Sequence, residues 1–183
     1  FFLNRTNRSG IIGSGGVIGG LNQTGKWKID ARFPRGELVR RIRRLAQYRD
    51  RVRLSQEDAV AFLTRVRGEL SEESLVYLDP PYYEKGQGLY PNYYVQKDHE
   101  AVHALVAELD TPWLVSYDNV KPIQTIYAGH PALKYDLRYS AQQRYEGREV
   151  MFFSDRLEVP AVDNPARIDG ETFRRMMLAE SAA

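Results

Sequence analysis

An α/β fold built on a mostly parallel sheet with an antiparallel edge is what this sequence predicts, and three observations carry that expectation. Apolar, β-prone runs alternate with helix-patterned stretches between residues 52 and 117; two further runs, 133–139 and 149–154, follow each other across a short polar stretch at 142–147; and the two most apolar runs stop abruptly, in Asp79-Pro80-Pro81 and in Asp118-Asn119. Strands joined through a crossover helix pair in parallel, whereas strands joined by a tight turn pair antiparallel.

Each element has its own warrant. Residues 1–36 are rich in Gly, Asn, Thr and Arg, with Gly13-Ser14-Gly15-Gly16 and Gly19-Gly20 as punctuation, so loops and short hairpins are expected there. The stretch 13–20 reads either as a hairpin that approaches a ligand or as a connector. Over 37–48, Leu38, Ile42 and Leu45 recur at helical spacing with arginines opposite, which predicts an amphipathic helix. Val52-Arg53-Leu54 is a strand candidate, and Ser55 with Asp58 three residues on resembles a capping box opening a helix that carries Val60, Phe62 and Leu63. Residues 74–78 form the next strand, ended by prolines that cannot donate to a ladder. A Tyr- and Gly-rich loop over 84–96 precedes a helix over 98–109, apolar at Val102, Leu105, Val106 and Leu109, and then a buried strand over 113–117. The tail has Phe173, Met176 and Met177 as its only core pattern and is expected to dock loosely or stay disordered. Three segments result: 1–50, basic and ligand-contacting; 51–158, the core; and 159–183, the tail.

Composition narrows the chemistry. The chain has 183 residues, 43% hydrophobic and 27% charged, an ordinary globular composition of one-domain length. It has no cysteine, which excludes disulfides, thiolate zinc sites and cysteine nucleophiles, and its three histidines, His99, His103 and His130, argue against a poly-histidine cage. No metal site is expected. No apolar run approaches the roughly 18–20 residues that cross a bilayer, and Phe1-Phe2-Leu3 is followed at once by Asn4 and Arg5, so a soluble, cytoplasmic protein without membrane partners is expected. An apolar triplet in place of an initiating Met reads as the start of a piece cut from a longer polypeptide. Residues 1–70 hold 15 Lys plus Arg against 6 Asp plus Glu, a net +9, while the remainder holds 11 against 18, a net −7. So basic a segment suits a polyanion, because cations that neutralise phosphates release counterions. The cluster Arg40-Arg41-Ile42-Arg43-Arg44, with Arg49, Arg51 and Arg53, reads equally as a solvated face.

The most informative segment is Leu75-Val76-Tyr77-Leu78-Asp79-Pro80-Pro81-Tyr82, a buried strand that delivers its polar residues at its carboxyl end, where open α/β sheets bind ligands. Asp79 offers a carboxylate acceptor, Pro80 a carbonyl held rigidly by Pro81, and Tyr82 an aromatic plane. Two acceptors beside a ring fit a planar aromatic amine: both hydrogens of an NH₂ group are bound and its lone pair is aimed at an electrophile. The plainer reading is a strand stop with a packed tyrosine.

Asp79-Pro80-Pro81-Tyr82 after an apolar strand resembles the catalytic motif of amino-directed DNA methyltransferases, in the Asp form typical of adenine N6 enzymes. Residues 2–10 and 27–33 look like the region that follows the cofactor motif in the branch of bacterial and phage DNA adenine methylases. The order of the remaining elements, through Arg144 to Phe153, is also similar, so the resemblance covers about 1–156. It implies a Rossmann-like S-adenosylmethionine-dependent methyltransferase sheet, N-terminally incomplete, carrying a loop-rich basic DNA-recognition segment. It also implies methyl transfer from S-adenosylmethionine to the 6-amino group of an adenine flipped out of double-stranded DNA, without a metal. On this analogy Asp79, Pro80, Pro81 and Tyr82 are catalytic, and Asp58 hydrogen-bonds the cofactor. Arg5, Arg8, Lys26, Lys28, Arg32 and Arg35 contact DNA, and Tyr90, Tyr93 and Tyr94 close over the base or pack on the sheet. The family's aromatic-Gly-x-Gly cofactor motif is absent. Gly13-Ser14-Gly15 imitates it but has no acidic residue beside it, so an upstream segment or a partner chain is expected to supply the cradle. Two other classes stay open: a methyltransferase acting on another planar amine, as in RNA, and a catalytically inactive DNA-binding or assembly module of the same fold.

Overall fold

The computed structural model describes residues 1–13, 15–84, 86, 93–139, 145–159, 162, 164, 165, 168, 171, 172 and 175, with backbone alone over 137–139 and 145–147. Ser14, Tyr90, Gln142, Arg144, Phe173, Met176 and Met177 lie outside the described residues. The chain divides into two compact units, one comprising 1–56 with 139–145 and the other 57–138 with 146–183.

The first unit is built mainly of turns. Helix α1 (Phe2–Thr6) and the longer α2 (Arg35–Ala46) are joined by single 3-10 turns at Arg8–Gly10 and Ile29–Arg32, and an antiparallel bridge between Asn7 and Val17 closes the intervening loop. Phe33 packs edge-on against Phe2, with ring centroids 5.5 Å apart. Helix α2 begins at the sequence's own signal: Pro34 precedes it, and Glu37 in the first turn favours the dipole and pairs with Arg40 and Arg41 at 2.6 and 2.8 Å. The apolar stripe expected on this helix is present but only its first member is covered. Leu38 is 6% exposed, whereas Ile42 and Leu45 are 50% and 70% exposed. The strand expected at 52–54 does not form. Val52 is extended (φ −114°, ψ 122°), yet it has no ladder partner among the described residues, and both Val52 and Leu54 face water. An extended run satisfies its backbone only through a neighbour, and without one it stays a hydrated loop.

The second unit holds the sheet. Its strands β1 (Val76–Leu78), β2 (Trp113–Asp118), β3 (Ala132–Tyr139) and β4 (Tyr145–Phe153) lie in the order β1-β2-β4-β3. β1 runs parallel to β2 with Leu78 opposite Val115, and β2 runs antiparallel to β4 with Val115 opposite Phe152 and Asp118 opposite Glu149. The sheet is therefore mixed rather than mostly parallel. Among the described residues only the β1–β2 link contains a crossover helix, α4 (Gln96–Ala107), while after β2 the short α5 (Lys121–Ile126) leads into strands of the edge pair. Helix α3 (Ala59–Val66) completes the unit. Leu63 of α3, Val106 of α4 and Ile123 of α5 converge with Trp113, Val115, Tyr117, Tyr127, Val150 and Phe152 in one core. β2 is buried at five of its six positions, as befits a central strand covered on both faces. No helix among the described residues is long and apolar enough to cross a membrane.

Candidate active site

β1 stops where Pro80 and Pro81 remove two backbone donors, so the chain leaves the sheet directly beside the carboxyl end of β2. The parallel register brings Ser116 and Asp118 of β2 to the same edge, and the antiparallel register adds Glu149 of β4 opposite Asp118. These three buried residues hold the motif at three points. Ser116 Oγ donates to Asp79 Oδ1 at 2.8 Å, and the same hydroxyl lies 3.1 Å from the Tyr77 hydroxyl. Asp118 accepts the backbone N–H of Tyr83 on Oδ1 at 2.9 Å and that of Glu84 on Oδ2 at 3.0 Å. The Tyr82 hydroxyl donates to Glu149 Oε1 at 2.5 Å, while Glu149 Oε2 accepts from Tyr135 at 3.3 Å. Hydrogen bonds to a carboxylate are among the stronger ones, and buried carboxylates persist only when so satisfied.

The result is a rigid mount with one open end. Asp79 is exposed, and its Oδ2 meets no protein donor among the described residues, whereas Pro80, Pro81 and Tyr82 are partly buried. A carboxylate oxygen free to accept, a carbonyl fixed between two prolines and a tethered phenol ring are the parts needed to orient an aromatic amine. Sequence reasoning found Asp79, Pro80, Pro81 and Tyr82 but missed Ser116, Asp118 and Glu149. The abrupt Asp118-Asn119 strand end was a signal for one of them; Glu149 had none, because its place depends on strand register.

Asp58 has two roles in the structure. It caps α3, accepting the N–H of Val60 at 2.9 Å and of Ala61 at 3.4 Å on Oδ1, and it accepts the Tyr94 hydroxyl on Oδ2 at 2.9 Å. The helix is thus opened by Asp58 itself rather than by a box from Ser55, because Asp58 is the last extended residue (φ −63°, ψ 145°) before the first turn. The hydrogen bond from Tyr94 is the main reason its carboxyl lies below the usual range. Burial, and then the carboxylate itself, push the Tyr94 phenol up to about 12. Tyr94 also packs edge-on against His99 at 5.5 Å, which puts it on the packing side of the alternatives; Tyr93 is exposed.

A carboxylate offers about four lone-pair positions. With three donors engaged, exposed Asp58 can accept one more, which fits a ribose hydroxyl or an adenine amine of S-adenosylmethionine. The methionine end finds no such partner among the described residues. Among the described residues no glycine turn leads from a strand into a helix, and Gly15 sits in a tight turn where an added Cβ would lie 2.7 Å from the carbonyl oxygens of Arg8 and Ile11.

The six basic residues singled out from the sequence all lie in the first unit. Arg8, Lys26 and Arg35 are exposed; Arg5, partly buried, donates to the Arg32 carbonyl at 2.8 Å, and Lys28 donates to the Gln23 carbonyl. None of the six forms an ion pair among the described residues. A family model described as D12 class N6 adenine-specific DNA methyltransferase matches residues 1–143. No curated protein matches the chain in a sequence search.

Proposed function

The chain belongs to the D12 class of N6 adenine-specific DNA methyltransferases, enzymes that use S-adenosylmethionine as methyl donor, and on that premise we propose how its residues divide the work. An adenine extruded from duplex DNA presents its amine to Asp79 and the Pro80 carbonyl, which bind one N–H each, while Tyr82 stacks on the ring. S-adenosylmethionine would supply the electrophilic methyl group, its S–CH₃ bond breaking as the thioether S-adenosylhomocysteine leaves. Asp79 need not deprotonate a neutral amine. Its carboxylate orients the lone pair and stabilises the charge that develops on nitrogen, then receives the proton that has become acidic. Pro81 keeps the Pro80 carbonyl in place. Asp58 accepts a hydrogen bond from the adenosine portion of the cofactor, and Arg5, Arg8, Lys26, Lys28, Arg32 and Arg35 grip phosphates or bases.

The observation that carries this reading is the exposed Asp79 carboxylate, pinned through one oxygen by Ser116 beside a tethered Tyr82. We assign 1–50 to DNA contact and 51–158 to a partial catalytic core, with the cradle for the methionine end supplied by an upstream segment or a partner chain. Among the described strands β1 lies at the edge, and Tyr77 on it and Leu75 before it face water, which supports that completion. A DNA substrate supports a cytoplasmic location for the enzyme.

The test is transfer of labelled methyl from S-adenosylmethionine to unmethylated duplex DNA, with Asp79→Ala as control. The variant is expected to lose transfer by about 10²–10⁴-fold or more, with unchanged affinity for DNA. Equal transfer by both proteins removes Asp79 from the chemistry, and loss of DNA affinity together with folding makes it a structural residue. Transfer that appears only after the upstream segment is added identifies a split catalytic unit. DNA binding with no transfer under either condition favours the inactive assembly module, for which the lack of a strand-to-helix glycine turn among the described residues is the observation.

A further inference from the structure

We propose that the loop 18–29 is a preformed DNA-contact element, in which Arg8 and Lys26 take a backbone phosphate and Trp27 stacks on a nucleobase opened from the helical stack. The proposal rests on the DNA-methyltransferase reading above and assigns Trp27 a role that reading does not contain.

The loop is built rather than slack. Gln23 adopts the left-handed region at φ +51°, where a residue with a side chain is strained, and its amide secures that conformation. Gln23 Nε2 donates to the carbonyls of Ile18 and Gly20 at 2.8 and 2.7 Å, and Oε1 accepts the N–H of Ile29 at 2.8 Å, so one side chain ties both ends of the loop together. Gly19 (φ +87°) leaves no room for a side chain, since a Cβ there would lie 2.7 Å from the Trp27 carbonyl oxygen. Gly25 donates to the Gly19 carbonyl at 3.0 Å and closes the turn.

This rigid mount holds out the wrong kind of side chain for a solvated loop. Trp27 is 66% exposed, while Trp113, the other tryptophan, is 2% exposed in the core of the second unit. The Lys26 ammonium lies 5.7 Å from the centroid of the Trp27 ring. Beside the ring is an open concavity of about 440 Å³ lined by Arg8, Lys26, Trp27, Ile18 and loop glycines, with no acidic residue in its wall. Two cations that form no ion pair among the described residues and an aromatic face around a glycine-lined hollow match a phosphodiester with its attached base. The anion is met by the cations, the backbone comes close because glycine has no side chain, and the base meets indole. The surroundings favour the same ligand: residues 1–56 hold 13 Lys plus Arg against 3 Asp plus Glu.

Tryptophan fluorescence of the full chain, titrated with a short unmethylated duplex, tests this directly, because Trp113 serves as a shielded internal reference. Binding is expected to quench the exposed component and to reduce its accessibility to acrylamide. Trp27→Ala should weaken DNA affinity roughly 5- to 150-fold, the range of a lost base–aromatic stack, and Trp27→Phe should retain most of it. Arg8→Gln and Lys26→Gln should each flatten the salt dependence of log K by about 0.9 if each meets one phosphate. Duplex binding with a normal salt slope, unchanged tryptophan emission and unchanged affinity of a folded Trp27→Ala protein overturns the inference and leaves the methyltransferase reading standing. No binding of duplex by the full chain even at low salt defeats both.

Discussion

The two units handle apolar residues in opposite ways. In the second, the large side chains of β2, α3, α4 and α5 meet one another, and Trp113, Tyr117 and Tyr127 are buried. In the first, Ile12, Leu21, Trp27, Ile42, Leu45 and Leu54 face water among a large excess of arginines and lysines. Leu63 and Leu45 both sit on helices with a clear apolar stripe, yet only Leu63 meets a packed surface. A hydrophobic period therefore states which face of a helix seeks burial; the partner surface decides whether burial happens. Where cations accompany the uncovered apolar residues, the composition suits the DNA contact proposed for residues 1–50.

Substitution at those two leucines gives the largest contrast. Leu63→Ala should cost about 2–5 kcal/mol, the price of a core cavity, while Leu45→Ala should change stability by no more than about 0.5 kcal/mol in urea denaturation. Equal losses would show that the α2 stripe is buried in solution. Within the second unit, Asp118→Ala leaves two backbone donors of the motif loop without acceptors and is expected to destabilise by roughly 1–3 kcal/mol for each donor that stays buried. It should also lower turnover more than it raises the Michaelis constant for DNA, because the mount is lost while the phosphate contacts remain. Asp118→Asn, which keeps one acceptor oxygen, should fall between. Tyr82→Phe removes the bond to Glu149 but keeps the ring, so its turnover should exceed that of Tyr82→Ala. Identical rates for the two variants would argue that the hydroxyl, and not the ring, matters.

The smallest effect is a pH dependence confined to the second unit. Burial lowers the pKa of His99, against nearby Asp118 and Asp98, and burial together with neighbouring His130 lowers that of His103. His99 Nδ1 lies 3.1 Å from the Tyr117 hydroxyl, and His103 and His130 share one hydrogen bond of 3.1 Å between their Nε2 atoms. The unfolded chain takes up protons near the ordinary imidazole value of 6.5, before the folded one does. This contribution to stability is therefore complete above 6.5 and is lost as pH falls through the depressed folded values. Thermal melts of wild type and His103→Gln between pH 7.5 and 5 should converge on the acid side; a constant difference would mean that the imidazole stays neutral throughout.

Much of the second unit was legible without coordinates. The periodicity of Val102, Val106 and their neighbours marked α4, the apolar run 113–117 marked β2, and Asp79-Pro80-Pro81-Tyr82 marked the strand end of the candidate site, because helical period, strand length and proline's missing donor are properties of neighbouring residues. The failures lie where a distant partner decides. The stretch 52–54 has the right composition and no neighbour to pair with among the described residues. Asp79 meets Ser116 across 37 residues, Tyr83 meets Asp118 across 35, and Tyr82 meets Glu149 across 67, so the mount of the motif depends on strand order and register. The sequence by itself determined which groups are available to hold an amine, since that is a matter of side-chain chemistry at a strand end. Only the tertiary structure decided what holds those groups still and which apolar faces remain in water, because both are contacts between segments that local preference does not encode.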